Sequence, residues 1–190
     1  METIRTFIAL ELEPSLQQAL GHIQETLKKT GADVKWVRPT DIHLTLKFLG
    51  DTPSHQLDSI AQTIRSITEQ SSSYPLELTK IGAFPTIEHP RVVWIGVEEG
   101  KEETKKIAHS LEEKLQGIGF KKEDRGFEPH VTIGRVRSGL NRMALFKALK
   151  EFQIEAAMNQ KANRITLFKS TLTSQGPIYE TLGRFDLKKD

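Results

Sequence analysis

Cysteine is absent from this 190-residue chain. Its absence excludes disulfides, thiolate catalysis and cysteine-ligated zinc. No run approaches the roughly 18 consecutive apolar residues that a membrane span requires. The opening residues, Met1 to Phe7, lack the basic start, long apolar stretch and small-residue cleavage site of a secretory signal, so a cytoplasmic location is expected. Neither a P-loop nor a glycine-rich dinucleotide fingerprint occurs. A strong charge of one sign is missing too: the net charge is +2 and the pI about 8.8. The lysine pairs at 28–29, 105–106, 121–122 and 188–189 are isolated, as on solvated faces or helix ends, and form no continuous phosphate track. A polyanionic partner is compatible with this balance and not demanded by it.

With 37% hydrophobic and 27% charged residues, the chain can bury a core beneath a solvated surface. Its length suits one compact domain or two tightly joined lobes over residues 1–190, and not independent modules. Alternation predicts a strand at 4–10, with Ile4, Thr6, Ile8 and Leu10 on one face and Arg5, Phe7 and Ala9 on the other. Further strands are expected at 34–37, 43–49 (closed by Gly50-Asp51), 76–84, 92–97, 129–136, 152–157, 164–170 and 178–187. Helical spacing predicts helices from Pro14 to near Gly31, from Pro53-Ser54 to Ile67, over 101–115 and over 142–149. Strands and helices interspersed in this way indicate a mixed α/β or α+β domain. The tract Ser71 to Ser73 is too short for a linker and reads as a loop.

One internal echo carries chemistry. Pro39-Thr40-Asp41-Ile42-His43-Leu44-Thr45-Leu46 resembles Phe127-Glu128-Pro129-His130-Val131-Thr132-Ile133. The copies lie too far apart for a solenoid period, and a duplicated lobe giving one copy each to a shared cleft explains them better. On a strand, residues two apart share a face, so His43 stands with Thr45 and His130 with Thr132. The apolar residues between them enter the core. Displacement at phosphorus needs a base for the attacking water and an acid for the departing alkoxide. Imidazole, with an ordinary pKa near 6.5, offers both protonation states around neutrality. Threonine hydroxyls can donate to the non-bridging oxygens.

Arg135 adds a guanidinium whose planar fork matches phosphate oxygens. Strict alternation would turn it away from His130 and Thr132, and a bend or bulge at Gly134 is needed to re-aim it. A metal centre is the chemical rival, since Asp41 and Glu128 each stand two residues before a motif histidine. Against it, no compact histidine ligand set exists and threonine is a poor ligand. Those carboxylates read instead as turn residues or as groups orienting a histidine ring. The other histidines, His22, His55, His89 and His109, read as surface or capping residues.

These motifs, taken together, resemble the 2H phosphoesterases, and within them the LigT-like RNA 2′,3′-cyclic phosphodiesterases, also called 2′-5′ RNA ligases. The resemblance spans nearly the whole chain. It runs through Arg5-Thr6-Phe7-Ile8-Ala9-Leu10, Trp36-Val37 and His43-Leu44-Thr45-Leu46-Lys47-Phe48-Leu49-Gly50. It continues in Gly82-Ala83-Phe84-Pro85, Pro90-Arg91-Val92-Val93-Trp94-Ile95-Gly96 and Pro129-His130-Val131-Thr132-Ile133-Gly134-Arg135. It implies an α+β bilobal fold, with two pseudo-symmetric lobes, an antiparallel sheet in each, helices outside and a central cleft. By the same resemblance His43 is the proton donor and His130 the proton acceptor, while Thr45, Thr132 and Arg135 hold the phosphate. Gly134 departs from the family's pattern, where another small or apolar residue is common. Phe48, Trp36 and Phe84 are candidates for base stacking, though each reads more readily as a core aromatic. No metal and no cofactor are expected. The expected substrate is RNA with a 2′,3′-cyclic phosphate terminus, or a small cyclic nucleotide, handled by a monomer with no protein partner. Ligation of RNA halves and non-catalytic binding of RNA ends are the alternatives.

Overall fold

A computed structural model describes residues 2–123, 126–155, 158–174 and 176–189. The strands are β1 (Thr3–Glu11), β2 (Val34–Trp36), β3 (His43–Pro53), β4 (Tyr74–Pro85), β5 (Pro90–Val97), β6 (His130–Val136), β7 (Met158–Ala162), β8 (Arg164–Thr173) and β9 (Gly176–Asp186). Four α-helices intervene: α1 (Pro14–Lys28), α2 (Leu57–Thr68), α3 (Lys101–Gln116) and α4 (Arg142–Glu151). All pairings between these strands are antiparallel, in the order β7-β4-β5-β6-β3-β1-β8-β9, with β2 beside β6.

The two expected antiparallel sheets are present as four-stranded halves, β7-β4-β5-β6 and β3-β1-β8-β9, and their ladders join edge to edge. The join is a single pair, Leu44 opposite Val131. Those are the residues that follow the two motif histidines. The pairing is antiparallel, so an approximate two-fold axis passes through it and relates one His-x-Thr to the other.

Each helix lays an apolar stripe on the sheet: Leu16, Leu20, Ile23 and Leu27 from α1, and Ile60, Ile64 and Ile67 from α2. Ile107, Leu111 and Leu115 do so from α3, and Leu145 and Leu149 from α4. All are buried, and each such side chain contributes about 1.5–3 kcal/mol of transfer free energy. Helix α2 packs with α3 and against β8 and β9, and α3 also covers β3, whereas α1 meets α4 and β7. No helix among the described residues is long and apolar enough to cross a membrane.

Two strands depart most from the sequence reading. Strand β3 does not close at Gly50-Asp51 but runs on to Pro53, because Gly50 takes a positive φ of 71° and the ladder to β1 continues through it. The strand expected at 152–157 is not there. Residues 152–155 are irregular, with Phe152 and Ile154 packed against the core but outside the ladder, and 156–157 lie outside the described residues. The strand is Met158–Ala162 instead, paired with Tyr74–Leu78. Its run Asn159-Gln160-Lys161 is polar on both faces and hides the alternation.

Candidate active site

The four motif side chains converge because of the pairing at the join. Continuing the register outward from Leu44 and Val131 places His43 across from Thr132, and His130 across from Thr45. In a regular ladder the two histidines are then diagonal neighbours, a separation of about 7–8 Å. Leu44, Leu46, Val131 and Ile133 are buried on the opposite, helix-covered face. His43, Thr45, His130 and Thr132 line one cavity of about 670 Å³, together with Arg135.

Both imidazoles are held in the same manner. Nδ1 of His43 lies 2.7 Å from the carbonyl oxygen of Asp41, and Nδ1 of His130 lies 2.7 Å from that of Glu128. A carbonyl can only accept, so each Nδ1 carries the hydrogen and each Nε2 is left for the cavity. The two carboxylates that the sequence offered as orienting groups serve elsewhere. Asp41 pairs with Arg38 at 2.6 Å, and Glu128 pairs with Lys101 and Lys105 of α3. The backbone two residues upstream orients each ring, so the motif sets its own tautomer.

Ring surroundings differ between the halves. His43 stacks on Phe7 at 4.8 Å and receives the edge of Tyr179 at 5.3 Å. His130 meets Phe84 edge-on at 5.0 Å and Trp94 at 6.0 Å. Burial lowers the pKa of both histidines, opposed by the carbonyl hydrogen bond and by Asp41 or Glu128. The positive charge of Arg135 lowers that of His130 further, as the smallest of these influences. Burial raises the Tyr179 phenol, so it stays a hydrogen-bond donor at neutral pH.

Arg135 reaches the cavity through the bulge that the sequence required. Against β5, Val93 faces Gly134 while Trp94 faces Thr132, so Ile133 is the extra residue. Ile133 and Gly134 are both buried, and parity shifts so that Arg135 rejoins the face of His130 and Thr132. Gly134 fits there because a Cβ would stand 2.7 Å from Cγ1 of Val34 and 2.9 Å from Cε3 of Trp36. The amide of Gln24, buried on α1, donates to the carbonyl of Ile133 at 2.8 Å and to that of Val37 at 2.7 Å, fixing the bulge. Strand β3 carries a matching irregularity: Ala9 faces Thr45 and Ile8 faces Lys47, which skips Leu46. Phe48, five residues after His43, thereby holds the place that Arg135 holds after His130.

Of the three aromatics singled out for stacking, Phe48 and Phe84 line the cavity and are 50% and 36% exposed. Trp36 also lines it but is partly buried against the core and lies over Gly134. Tyr179, Phe7, Gln24 and Arg38 were not singled out for the site by the sequence. Phe7 alone left a trace there, as part of Arg5-Thr6-Phe7-Ile8-Ala9-Leu10. Histidines 22, 55, 89 and 109 are exposed and away from the cavity. No three metal-ligating side chains gather among the described residues.

The family model described as LigT like Phosphoesterase matches twice, over 10–94 and 95–179, so each match holds one histidine motif. An RNA 2′,3′-cyclic phosphodiesterase of Methanothermobacter thermautotrophicus is 34% identical over 97% of this chain and 99% of its own length. One from Aquifex aeolicus is 32% identical over 98% and 99%. Among solved structures, a protein of Thermus thermophilus superposes with a TM-score of 0.83, at 24% identity, over 98% of this chain and 100% of that one. The LigT protein of E. coli in complex with 3′-AMP does so with a TM-score of 0.81 at 21% identity, over 98% and 99%. These two structures bear on the fold.

Proposed function

The chain belongs to the LigT-like phosphoesterase family, and from that premise we propose that it hydrolyses RNA 2′,3′-cyclic phosphates to 2′-phosphomonoesters with two histidines as acid and base. His130 accepts the proton of the attacking water through Nε2. His43 donates a proton to the departing 3′ oxygen from the other side of the phosphorus, and the two swap protonation states over the turnover. Thr45, Thr132 and Arg135 hold the non-bridging oxygens as their charge redistributes. Phe48 and Phe84 face the cavity where a terminal base can stack.

The observation that supports this most is the paired hold on Nδ1. It leaves two Nε2 atoms on one cavity, on opposite sides of an approximate two-fold axis, as in-line displacement requires. Cyclic-phosphate mononucleotides and oligonucleotides should be turned over to 2′-phosphates, with full activity in EDTA. His43→Ala and His130→Ala should each lose at least about 10² in kcat. Two variants near wild type, or a 3′-phosphate product, would overturn the assignment. Supplying a 5′-hydroxyl RNA half distinguishes 2′-5′ ligation by product length, and unchanged cyclic phosphate with stoichiometric binding would mark a binding module. We read the enzyme as a cytoplasmic monomer acting within one domain, which size exclusion and cell fractionation test.

A further inference from the structure

Lys35 of β2 stands directly opposite Arg135 of β6 in the antiparallel ladder. Both side chains are exposed and both line the cavity. Neither has an ion-pair partner among the described residues. Like charges in direct cross-strand register destabilise a sheet, so the arrangement costs stability unless an anion sits over it. Arg38, on the same rim, is already committed to Asp41 and to the carbonyl of Pro177.

Charge balance then separates the two cations. A cyclic phosphate is a diester and carries one negative charge. In the mechanism above it already meets Arg135 and one protonated imidazole, which leaves Lys35 in excess. On the opposite rim Lys169 is paired with Glu180 at 2.9 Å, and Arg5, which also lines the cavity, stands across the ladder from the carboxylate of Asp51, whereas Lys35 stands across from a second cation.

Resting on the proposed phosphodiesterase reading, we infer that Lys35, beside Arg135, forms a second anion subsite for the phosphate on the 5′ side of the terminal nucleotide. The preferred substrate is accordingly a cyclic end that carries such a phosphate, and an RNA chain supplies it as a phosphodiester. A bare 2′,3′-cyclic mononucleotide has nothing to place there.

The test compares three substrates: a 2′,3′-cyclic mononucleotide, the same nucleotide bearing a 5′-phosphate, and an oligoribonucleotide with a cyclic end. Wild-type enzyme should favour the second and third in kcat/KM. Lys35→Gln should lower that preference about three- to tenfold through KM, and Lys35→Arg should restore it. A gain seen with the oligonucleotide and not with the 5′-phosphate would place the recognised group in the chain; a gain with both identifies the phosphate itself. Binding of a fluorescent oligonucleotide ending in a 2′-phosphate, read by anisotropy, needs no turnover. Its log–log salt slope should fall by about 0.7 in Lys35→Gln, the loss of one single-strand phosphate contact. An unchanged preference together with an unchanged slope would overturn the subsite. A wild-type protein inert on every cyclic phosphate, yet losing slope in the variant, would overturn the hydrolytic reading and leave the subsite standing.

Discussion

In the proposed mechanism each motif imidazole gives or takes a proton, and two opposed influences act on it, burial and a carbonyl two residues upstream. Burial is the larger for His43 and His130, so both lie below the ordinary histidine value. The acid works only below its pKa and the base only above its own. With both lowered, kcat/KM should peak on the acid side of about 6.5, the unperturbed histidine value. An anionic substrate favours the protonated rings, so the kcat profile should lie at higher pH than that of kcat/KM. A kcat/KM optimum well above neutrality would contradict this. Gln24 shows a different kind of residue effect. Gln24→Leu removes the side-chain donor to the Val37 carbonyl and one of two donors to the Ile133 carbonyl, which keeps the N–H of Val37 at 3.0 Å, and should cost about 1–3 kcal/mol by urea unfolding. The motif histidines were readable because strand alternation and repetition are local signals. Gln24, Lys35 and Tyr179 were not, since each gains its meaning from a partner a hundred or more residues away.

Bulges do the aiming among the elements. The extra residue at Ile133 turns Arg135 back to the cavity, and the one at Leu46 does the same for Phe48. The first was readable as a requirement, because the arginine stood at the wrong parity beside a glycine. The second was not, since Lys47 and Phe48 give no comparable signal. Gly134→Ala should test the first. Its Cβ would meet Val34 and Trp36 at under 3 Å, so β2 or the indole must move. The expected loss is about 1–3 kcal/mol of stability, with a rise in KM as Arg135 is displaced. Unfolding midpoints and kinetics on the same protein measure both. Strand β7 was missed because its central residues are polar on both faces, and its pairing with β4 decides its conformation. Tertiary context overrides local pattern there.

Across the whole molecule, one ion pair ties distant parts together. Lys47 of β3 is fully buried, with its ammonium 2.6 Å from Glu112 of α3 and 3.1 Å from the carbonyl of Lys121. The other carboxylate oxygen of Glu112 accepts from the backbone N–H of Glu123, so Glu112 holds that backbone as well. Glu112→Ala leaves that cation without its counter-charge and should cost about 3–5 kcal/mol, whereas Lys47→Met with Glu112→Leu should be near neutral. Chemical denaturation of the single and double variants distinguishes the two outcomes. The four helices and most strands were readable from periodicity, which left α/β and α+β both open, and the family resemblance implied α+β. The continuity of the sheet was not, because it depends on one pairing between residues 87 positions apart.

That sheet also decides what can be cut. The sequence repeats divide near residue 94, yet β1 and β3 share a half with β8 and β9, while β4 and β5 share one with β6 and β7. Severing the chain between β5 and α3 would give a C-terminal piece whose β6 and β7 have lost every neighbour, with only the β8–β9 hairpin intact. Neither piece should fold by itself, and mixing them should restore activity through mutual templating. Two units along the chain have become, in space, an exchange of strands that makes each half the other's scaffold.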